Sequence, residues 1–279
     1  MSDTTEFKAT LTRYLKARIP FISIRSAERS RVLDLLREVV APLNAPVYVH
    51  TLSQGTRELV GGRSVNEDRS VTGAVDFASQ QFAQRQNLSC VLTEVSDIED
   101  DTASARHLLD VVMLAAEHSG VVVVITTKPV WGQLQRAGMA LTLSAPSEDE
   151  MQAIIRENLD AYRGHFPIEW DADDERRAAA ILAGISRIEA ENIIATLLAN
   201  GRITKADMVE LMHAKDRIFA DISGIERVSV RGTELSVGGL GGLKAWLDKE
   251  RPLLTADLRE RGIRPVSYTH LTLPTSDLV

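Results

Sequence analysis

The amino-acid sequence predicts an α/β protein in which a parallel sheet sandwiched between helices is followed by an all-α helical bundle. Three observations predict this fold class. Short apolar runs alternate with segments of helical periodicity as far as residue 146, which is typical of strands buried on both faces. The resulting βαβ order predicts a doubly wound sheet with right-handed crossovers. After Pro146 the apolar runs stop and only helical periods continue.

The elements of the sheet region follow in order. The first is an amphipathic helix over Phe7–Arg18, in which apolar residues recur every four positions and which Pro20 ends. The segment Thr51–Asn66 is predicted to be a flexible loop that turns at its two adjacent glycines. Strands are predicted at Phe21–Ile24, Val47–Leu52, Leu88–Leu92, Val121–Thr126 and Met139–Leu143, and helices between them at Ala27–Val40, Ser70–Gln86 and Ala103–His118.

The bundle is predicted to begin at Ser147, a helix N-cap with Glu150 three residues later in a capping box. Its first helix runs to Arg163. Three more helical periods follow, over Asp173–Ala183, Arg187–Ala199 and Thr204–Asp221. A Gly-rich stretch over Ser223–Gly242 then predicts a linker, and Leu243–Lys249 a further helix.

Composition limits the partners and the cellular compartment that we expect for the protein. The chain has 32 basic and 39 acidic residues, a net charge of −7, which gives no general attraction to nucleic acid or anionic lipid. The single cysteine, Cys90, lies in an apolar run, which favours a reducing compartment. The residues Met1–Lys8 do not resemble a signal peptide, and the longest apolar run, Val121–Ile125, is too short to span a bilayer. We therefore expect a soluble, cytoplasmic protein that contacts protein partners or itself, and neither nucleic acid nor membrane.

Three stretches resemble parts of AAA+ ATPases, which are P-loop-NTPase-like proteins. Ala140–Ile155 resembles the entry from core to lid, Gly184–Asn192 a lid helix, and Val237–Leu247 the opening of a second core. The arrangement over Phe7–Pro265 is similar to the AAA+ family named after hypothetical chloroplast reading frame forty-six. In that family a degenerate N-terminal module precedes a complete ATPase module.

The resemblance implies a division of the chain. Residues 1–146 would be a degenerate AAA+-like α/β core, 147–222 a lid-like subdomain, and 223–265 a linker with the truncated start of a second module. The tail 266–279 looks like translated vector or adapter sequence, which we exclude from the fold. The natural protein would then continue beyond Pro265 and, if plastid-encoded, would reside in the stroma.

The resemblance also implies ATP and magnesium for the full-length protein, with neither expected for this piece. Val237, Gly238, Gly239 and Leu240 would contact adenine there, because glycine lets the backbone approach the base closely. In this piece we favour a hinge between modules for the same residues.

ATP hydrolysis on this fold needs a glycine-rich loop that ends in Lys-Ser/Thr, whose backbone amides and lysine bind the phosphates. The corresponding turn, Arg25–Ser30, contains neither glycine nor lysine, and Glu28 would repel a phosphate. A residual anion site with Arg25 or Arg29 is one interpretation. A plain helix start, with Ser26 as N-cap and charges facing solvent, is favoured. The rival Gly61–Ser64 lacks the first glycine and has arginine in place of lysine.

The other catalytic positions are also altered. Thr93-Glu94 stands where an Asp-Glu pair should end the third strand, so the charge that holds magnesium is missing. Glu94 could still polarise a water, although a solvent-facing carboxylate is the favoured interpretation. The acidic run Asp97–Asp101 could bind a cation weakly, but a solvated turn that caps the next helix is the favoured interpretation. Thr127 lies where a polar sensor of the γ-phosphate would be, and Arg187 is expected to be a surface charge.

Two hypotheses follow. In the first, the chain is the N-terminal part of a tandem AAA+ ATPase, whose first module has lost catalysis and serves assembly, substrate contact or regulation. In the second, it is a stand-alone, non-enzymatic Rossmann-like or receiver-like interaction module. A gene that encodes Gly-x-x-x-x-Gly-Lys-Ser/Thr soon after Pro265 would favour the first.

Overall fold

The computed structural model describes residues 4–43 and 45–223, together with residues 241, 242, 245, 246, 248 and 249. All the helices and strands named below lie in one compact unit, which spans Met1–Glu226. The predicted adenine contacts Val237, Gly238, Gly239 and Leu240 lie outside the described residues, as do most of the predicted linker and the whole tail.

Nine α-helices and seven strands occur in the described part of Met1–Glu226. The strands are β1 (Phe21–Arg25), β2 (Val47–Thr51), β3 (Gly55–Glu58), β4 (Ser64–Asn66), β5 (Ser89–Leu92), β6 (Val121–Thr126) and β7 (Met139–Thr142). The helices are α1 (Thr4–Lys16), α2 (Arg29–Val40), α3 (Val71–Gln84), α4 (Ala103–Glu117), α5 (Gly132–Arg136), α6 (Glu148–Asp160), α7 (Ala172–Leu182), α8 (Arg187–Leu198) and α9 (Asp207–Ser223).

The seven strands form one sheet in the order β4-β3-β2-β5-β6-β1-β7. Strands β2, β5, β6, β1 and β7 are parallel, and β1 lies between β6 and β7. Counting only these five, the spatial order is 2-3-4-1-5. Receiver and Rossmann sheets have the orders 2-1-3-4-5 and 3-2-1-4-5-6. The receiver-like and Rossmann-like sheets of the second hypothesis are therefore wrong for this chain.

The five predicted strands are confirmed to within one residue at either end. The predicted loop Thr51–Asn66 is wrong, because β3 and β4 extend the sheet there as antiparallel strands. Both strands are short, polar and partly exposed at the edge of the sheet, so they lack the apolar signature of the buried strands. Helix α5, with five residues, was also not predicted.

Alternate residues of the strands face opposite sides of the sheet, where two apolar clusters lie. Phe21 and Val122 pack with α3, α4 and α5, whereas Ile22 and Val123 pack with α1 and α2. Every second residue of a strand points to the same face, so a continuous apolar run fills both clusters. Cys90 is buried in the first cluster, and this burial raises the pKa of its thiol to about 12.

Helices α6–α9 enclose a third apolar cluster around Trp170, whose indole Nε1 donates to the carbonyl of Thr204 at 2.8 Å. Helix α6 begins with the predicted capping box of Ser147 and Glu150. Capping boxes also begin α7 and α8, at Asp171 and Ser186, so all three helices have defined starts. None of the described helices is long and apolar enough to cross a membrane.

Candidate functional site

The candidate site lies at the carboxyl edge of the parallel strands, around the turn that joins β1 to α2. The backbone N–H of Ser26 donates to the carbonyl of Thr126 at 2.9 Å, which holds the ends of β1 and β6 together. The Ser26 hydroxyl accepts from the N–H of Glu28 at 3.1 Å. The prediction that Ser26 is the N-cap is wrong: α2 begins at Arg29, and Glu28 is its N-cap residue. Ser26 instead closes the turn two residues before the N-cap.

Glu28 is the central group of the site. Its side chain is only 5% exposed, so the prediction of solvent-facing charges is wrong for this residue. One carboxylate oxygen accepts from Arg31 Nη1 at 2.7 Å, and the other accepts from the backbone N–H of Arg187, the first residue of α8, at 2.5 Å. An ionised carboxylate is buried at low cost only when its oxygens accept such hydrogen bonds.

Arg31 holds this carboxylate and three other groups, although its side chain is only 11% exposed. Its guanidinium also donates to the Ser144 carbonyl at 2.8 Å, the Thr4 hydroxyl at 2.6 Å and Glu150 Oε2 at 3.1 Å. Burial opposes ionisation of Glu150, but Thr4, Ser147 and Arg31 together hold the pKa of its carboxyl below the ordinary value. Sequence reasoning missed Arg31, because a lone arginine in a helix usually faces solvent.

Arg29 and Glu94 are brought together, and they neutralise each other. Arg29 Nη1 pairs with Glu94 Oε1, and Glu94 Oε2 accepts from the N–H of Leu52 at 3.0 Å. The neighbouring Thr93 is buried and donates its hydroxyl to the carbonyl of His50 at 2.9 Å. Both residues at the end of β5 therefore have their polar groups engaged within the protein.

The other residues that the sequence predicts for this site lie at its exposed edge. Thr127 is exposed, and Thr126 rather than Thr127 makes a hydrogen-bonded turn with Lys128. In the acidic run, Asp101 is paired with Arg106, and the cap of α4 is Thr102. Among the described residues no group of three or more His, Cys, Asp or Glu could hold a metal ion.

Arg187 lies at the start of α8, and its guanidinium pairs with carboxylates of α6 and α8. Its Nε donates to Glu191 at 2.6 Å, and its Nη2 lies 3.7 Å from Glu157. The side chain is about half exposed, which agrees with the surface charge that the sequence predicts. The carboxylate of Glu28 is thus bound by the backbone of this residue and not by its charge.

A cavity of about 320 Å³ opens beside the turn, between the end of the sheet and α8. Its lining combines apolar residues with two serines and two glutamates, and no described residue of the wall is a lysine or arginine. The wall includes Glu28, Leu143, Ile185, Glu189 and Phe219. A magnesium-bound triphosphate needs basic groups, free backbone amides and a carboxylate for the metal. These residues do not fit it, because the turn offers a carboxylate to the phosphates instead.

Two family models match the chain over adjoining ranges. The N-terminal domain of the SpoVK-like AAA ATPases matches residues 7–143, and the second domain of the same proteins matches residues 149–221. The first range covers the sheet and its helices, and the second covers the helical bundle from α6 to near the end of α9. No curated protein matches the sequence.

Solved structures show the same fold at low sequence identity. A chain of the Escherichia coli MS115-1 HORMA:CdnC:Trip13 complex has 9% identity and a TM-score of 0.51, with 75% of this chain and 87% of that chain covered. A point mutant of Thermotoga maritima RuvB has 14% identity and a TM-score of 0.50, with 81% and 74% covered. Caenorhabditis elegans PCH-2 has 8% identity and a TM-score of 0.50, with 78% and 69% covered.

At these identities the structural likeness concerns the fold alone. The family assignment comes from the two models, which describe consecutive domains of one kind of protein and match this chain in the same order. The chain belongs to the AAA+ ATPases, whose members use ATP with magnesium.

Proposed function

We propose that this chain is the N-terminal part of an AAA+ ATPase and that its own module does not hydrolyse ATP. The module would serve assembly, regulation or substrate contact for a downstream module that does. The observation that carries the proposal is the buried carboxylate of Glu28, which lies in the turn where ATPases of this fold bind phosphates.

The chemistry of the turn supports this proposal. A phosphate placed there would meet a carboxylate, and the nearby cation Arg31 is already engaged by that carboxylate and by Glu150, so it leaves little positive charge to attract a phosphate. The turn itself has no lysine, and Arg29 is already paired with Glu94. Thr93 has no charge with which to hold magnesium, and its hydroxyl is engaged by the backbone.

We also propose the division of the chain into an α/β core (1–146), a lid-like subdomain (147–222), a linker with the start of a second module (223–265) and a non-native tail (266–279). Membership of the family named after hypothetical chloroplast reading frame forty-six, and residence in the cytoplasm or plastid stroma, belong to the same proposal. The support is the resemblance of the motifs quoted above. Val237–Leu240 would contact adenine only in the longer protein.

Protein partners or self-association form the last part of the proposal. One structure of similar fold is itself a complex, HORMA:CdnC:Trip13. Contact through protein surfaces is also the role open to a module that does not turn over nucleotide.

Titration of ATP with magnesium into the chain, followed by calorimetry, tests the proposal. We expect no saturable heat up to millimolar nucleotide, because the turn cannot bind a triphosphate. Saturable binding in the micromolar range would contradict the proposal.

Two arginines of α2 make matched controls for that titration. Arg29 and Arg37 are about equally exposed, 47% and 49%, but only Arg29 lies at the turn. If binding were seen, its loss in Arg29→Ala and its persistence in Arg37→Ala would place the nucleotide at the turn. Equal affinities of both variants and the native chain would place it elsewhere.

A further inference from the structure

The first turn of α8 presents a backbone donor to a group outside the helix. The first four N–H groups of a helix have no partner within it. In α8 the capping box satisfies two backbone groups, since the Ser186 side chain accepts from Glu189 N and the Glu189 side chain accepts from Ser186 N. The N–H of Arg187 lies between them. It donates to Glu28 at 2.5 Å, across 159 positions of the chain.

The carboxylate is held in place from the other side. Arg31, one turn into α2, donates to its second oxygen, so both oxygens have a fixed partner. The same guanidinium reaches Thr4 of α1 and Glu150 of α6. The Glu28 carboxylate therefore has a fixed position at the N-terminus of α8, where the positive end of the helix dipole favours an anion. Glu28 is also the N-cap residue of α2, but its side chain makes no capping hydrogen bond to that helix.

We propose that Glu28 is a built-in substitute for a nucleotide phosphate, and that it fastens the N-terminus of α8 to the β1–α2 turn whether or not nucleotide is present. An anion that belongs to a ligand leaves with the ligand, whereas a side-chain carboxylate stays. The inference rests on the proposed function in one respect, namely that the turn holds no nucleotide phosphate. Its consequence is that the position of α8 relative to the sheet is independent of nucleotide.

Amide hydrogen exchange of the whole chain, without nucleotide, tests the proposal in two variants. In Glu28→Ala we expect exchange in a peptide that covers the first turn of α8 to become at least tenfold faster. In Glu28→Gln, which keeps the shape and one acceptor oxygen, we expect a smaller increase. Glu38→Ala is the matched control, because Glu38 is an exposed glutamate of the same helix. It should leave the α8 peptide unchanged.

Chemical rescue separates a lost carboxylate from lost packing. Formate carries the missing group, so it should restore slow exchange to the α8 peptide of Glu28→Ala, while the same concentration of chloride should not. Equal exchange in the two salts would overturn the proposal, as would exchange in α8 that neither substitution changes. If Glu28→Ala does not fold, the comparison of Glu28→Gln with the native chain decides by the same α8 peptide.

The exchange experiment and the nucleotide titration can fail separately. Saturable ATP binding in a chain whose α8 still depends on Glu28 would overturn the proposed function alone. Absence of binding, together with an α8 that is indifferent to both substitutions, would overturn the substitute role alone.

Discussion

Glu28 and Arg29 are neighbours in the chain but lie in different environments. Glu28 is 5% exposed and bound on both oxygens, whereas Arg29 is about half exposed and makes one ion pair at the surface. An exposed ion pair contributes about 0–1 kcal/mol, because solvent screens it. Removing one partner of a buried pair costs about 3–5 kcal/mol, because the other charge is left without compensation. The architecture of the site therefore depends on Glu28 far more than on Arg29.

The sequence alone indicated that Glu28 does not suit a phosphate loop, but not that Glu28 is buried. The mismatch of Glu28 with a phosphate loop is visible in the turn itself, because the needed residue types are local. The burial of Glu28 cannot be predicted from the sequence. The group that stabilises the buried carboxylate is the N–H of Arg187, which lies 159 positions later. Because it is a backbone group, no residue type marks it in the sequence. The pairing of Arg29 with Glu94 was likewise hidden by separation along the chain.

His50, in β2, is another buried ionisable residue. Its side chain is 2% exposed, and its Nε2, like Oγ1 of the opposing Thr56, has no hydrogen-bond partner among the described residues. Burial lowers the pKa of this imidazole below its usual 6.5, and the carbonyl of Arg69 and the carboxylate of Asp68 offset that effect only in part. The folded chain therefore holds His50 neutral at a pH where the unfolded chain protonates it.

Because of His50, the free energy of unfolding should decline as the pH is lowered. Well above pH 6.5 both states are neutral at His50 and the residue gives no pH dependence. As the pH falls from 6.5 towards the lower folded pKa, the unfolded state binds more protons, so the free energy of unfolding declines. Urea unfolding at several pH values should show this decline in the native chain and a weaker one in His50→Gln. The exposed His165→Gln is the control, and an unchanged slope in His50→Gln would contradict the assignment.

The hairpin of β3 and β4 contains two glycines whose backbone conformation other residues rarely adopt. Gly55 begins β3 with φ +69°, and a Cβ there would lie 2.5 Å from the carbonyl oxygen of Asn66. Gly62, in the turn between the two strands, has φ +70°, but a Cβ there would meet no atom within 4 Å. The two glycines therefore share a left-handed conformation and differ in the space around them.

Alanine substitutions at these two positions distinguish the cost of a left-handed backbone from the cost of a steric clash. Gly62→Ala should cost about 1–2 kcal/mol, the ordinary penalty of a left-handed alanine. Gly55→Ala should cost at least about 1 kcal/mol more, because the backbone of β4 must also shift. Urea unfolding of the two variants measures both values. Equal losses would show that β4 gives way freely and that the hairpin is not held at Gly55.

The strands found and missed differ in their apolar content. β1, β2, β5 and β6 were predicted from apolar runs that are buried on both faces, and β7 was predicted from its apolar residues although it is largely exposed. Strand β3 reads Gly-Thr-Arg-Glu and is partly exposed, so its sequence does not differ from that of a loop. It forms because β2 offers an unpaired edge beside it, which is a property of the sheet and not of the segment.

On the scale of the whole molecule, the buried apolar residues of the described part form three separate clusters. Two lie on the faces of the sheet, and the third lies within α6–α9. Trp170 is the largest fully buried side chain of the third cluster, as Phe82 is among the largest of the first. Separate clusters imply that the bundle and the sheet can lose protection separately.

Truncation of one aromatic residue in each layer tests that division. Trp170→Ala should cost about 3–5 kcal/mol, and amide exchange should become faster in α6–α9 while β1, β5 and β6 stay protected. Phe82→Ala, of similar cost, should produce the opposite pattern. Uniform loss of protection in both variants would mean that the two layers unfold as one unit, and the proposed boundary at residue 146 would have no energetic meaning.

The order of the strands also determines how the chain resists aggregation. Val121–Ile125 is the most apolar segment of the protein and, if exposed, would pair readily with the same segment of another molecule. In the sheet it belongs to β6, which has β5 on one side and β1 on the other, so its backbone groups are already paired. On the β4 side the outer edge is three residues long and has a shifted register against β3, with Arg57, Glu58 and Arg63 close by. Such an edge gives a foreign strand little to extend on that side of the sheet, and β6 itself can pair with another molecule only after the sheet unfolds.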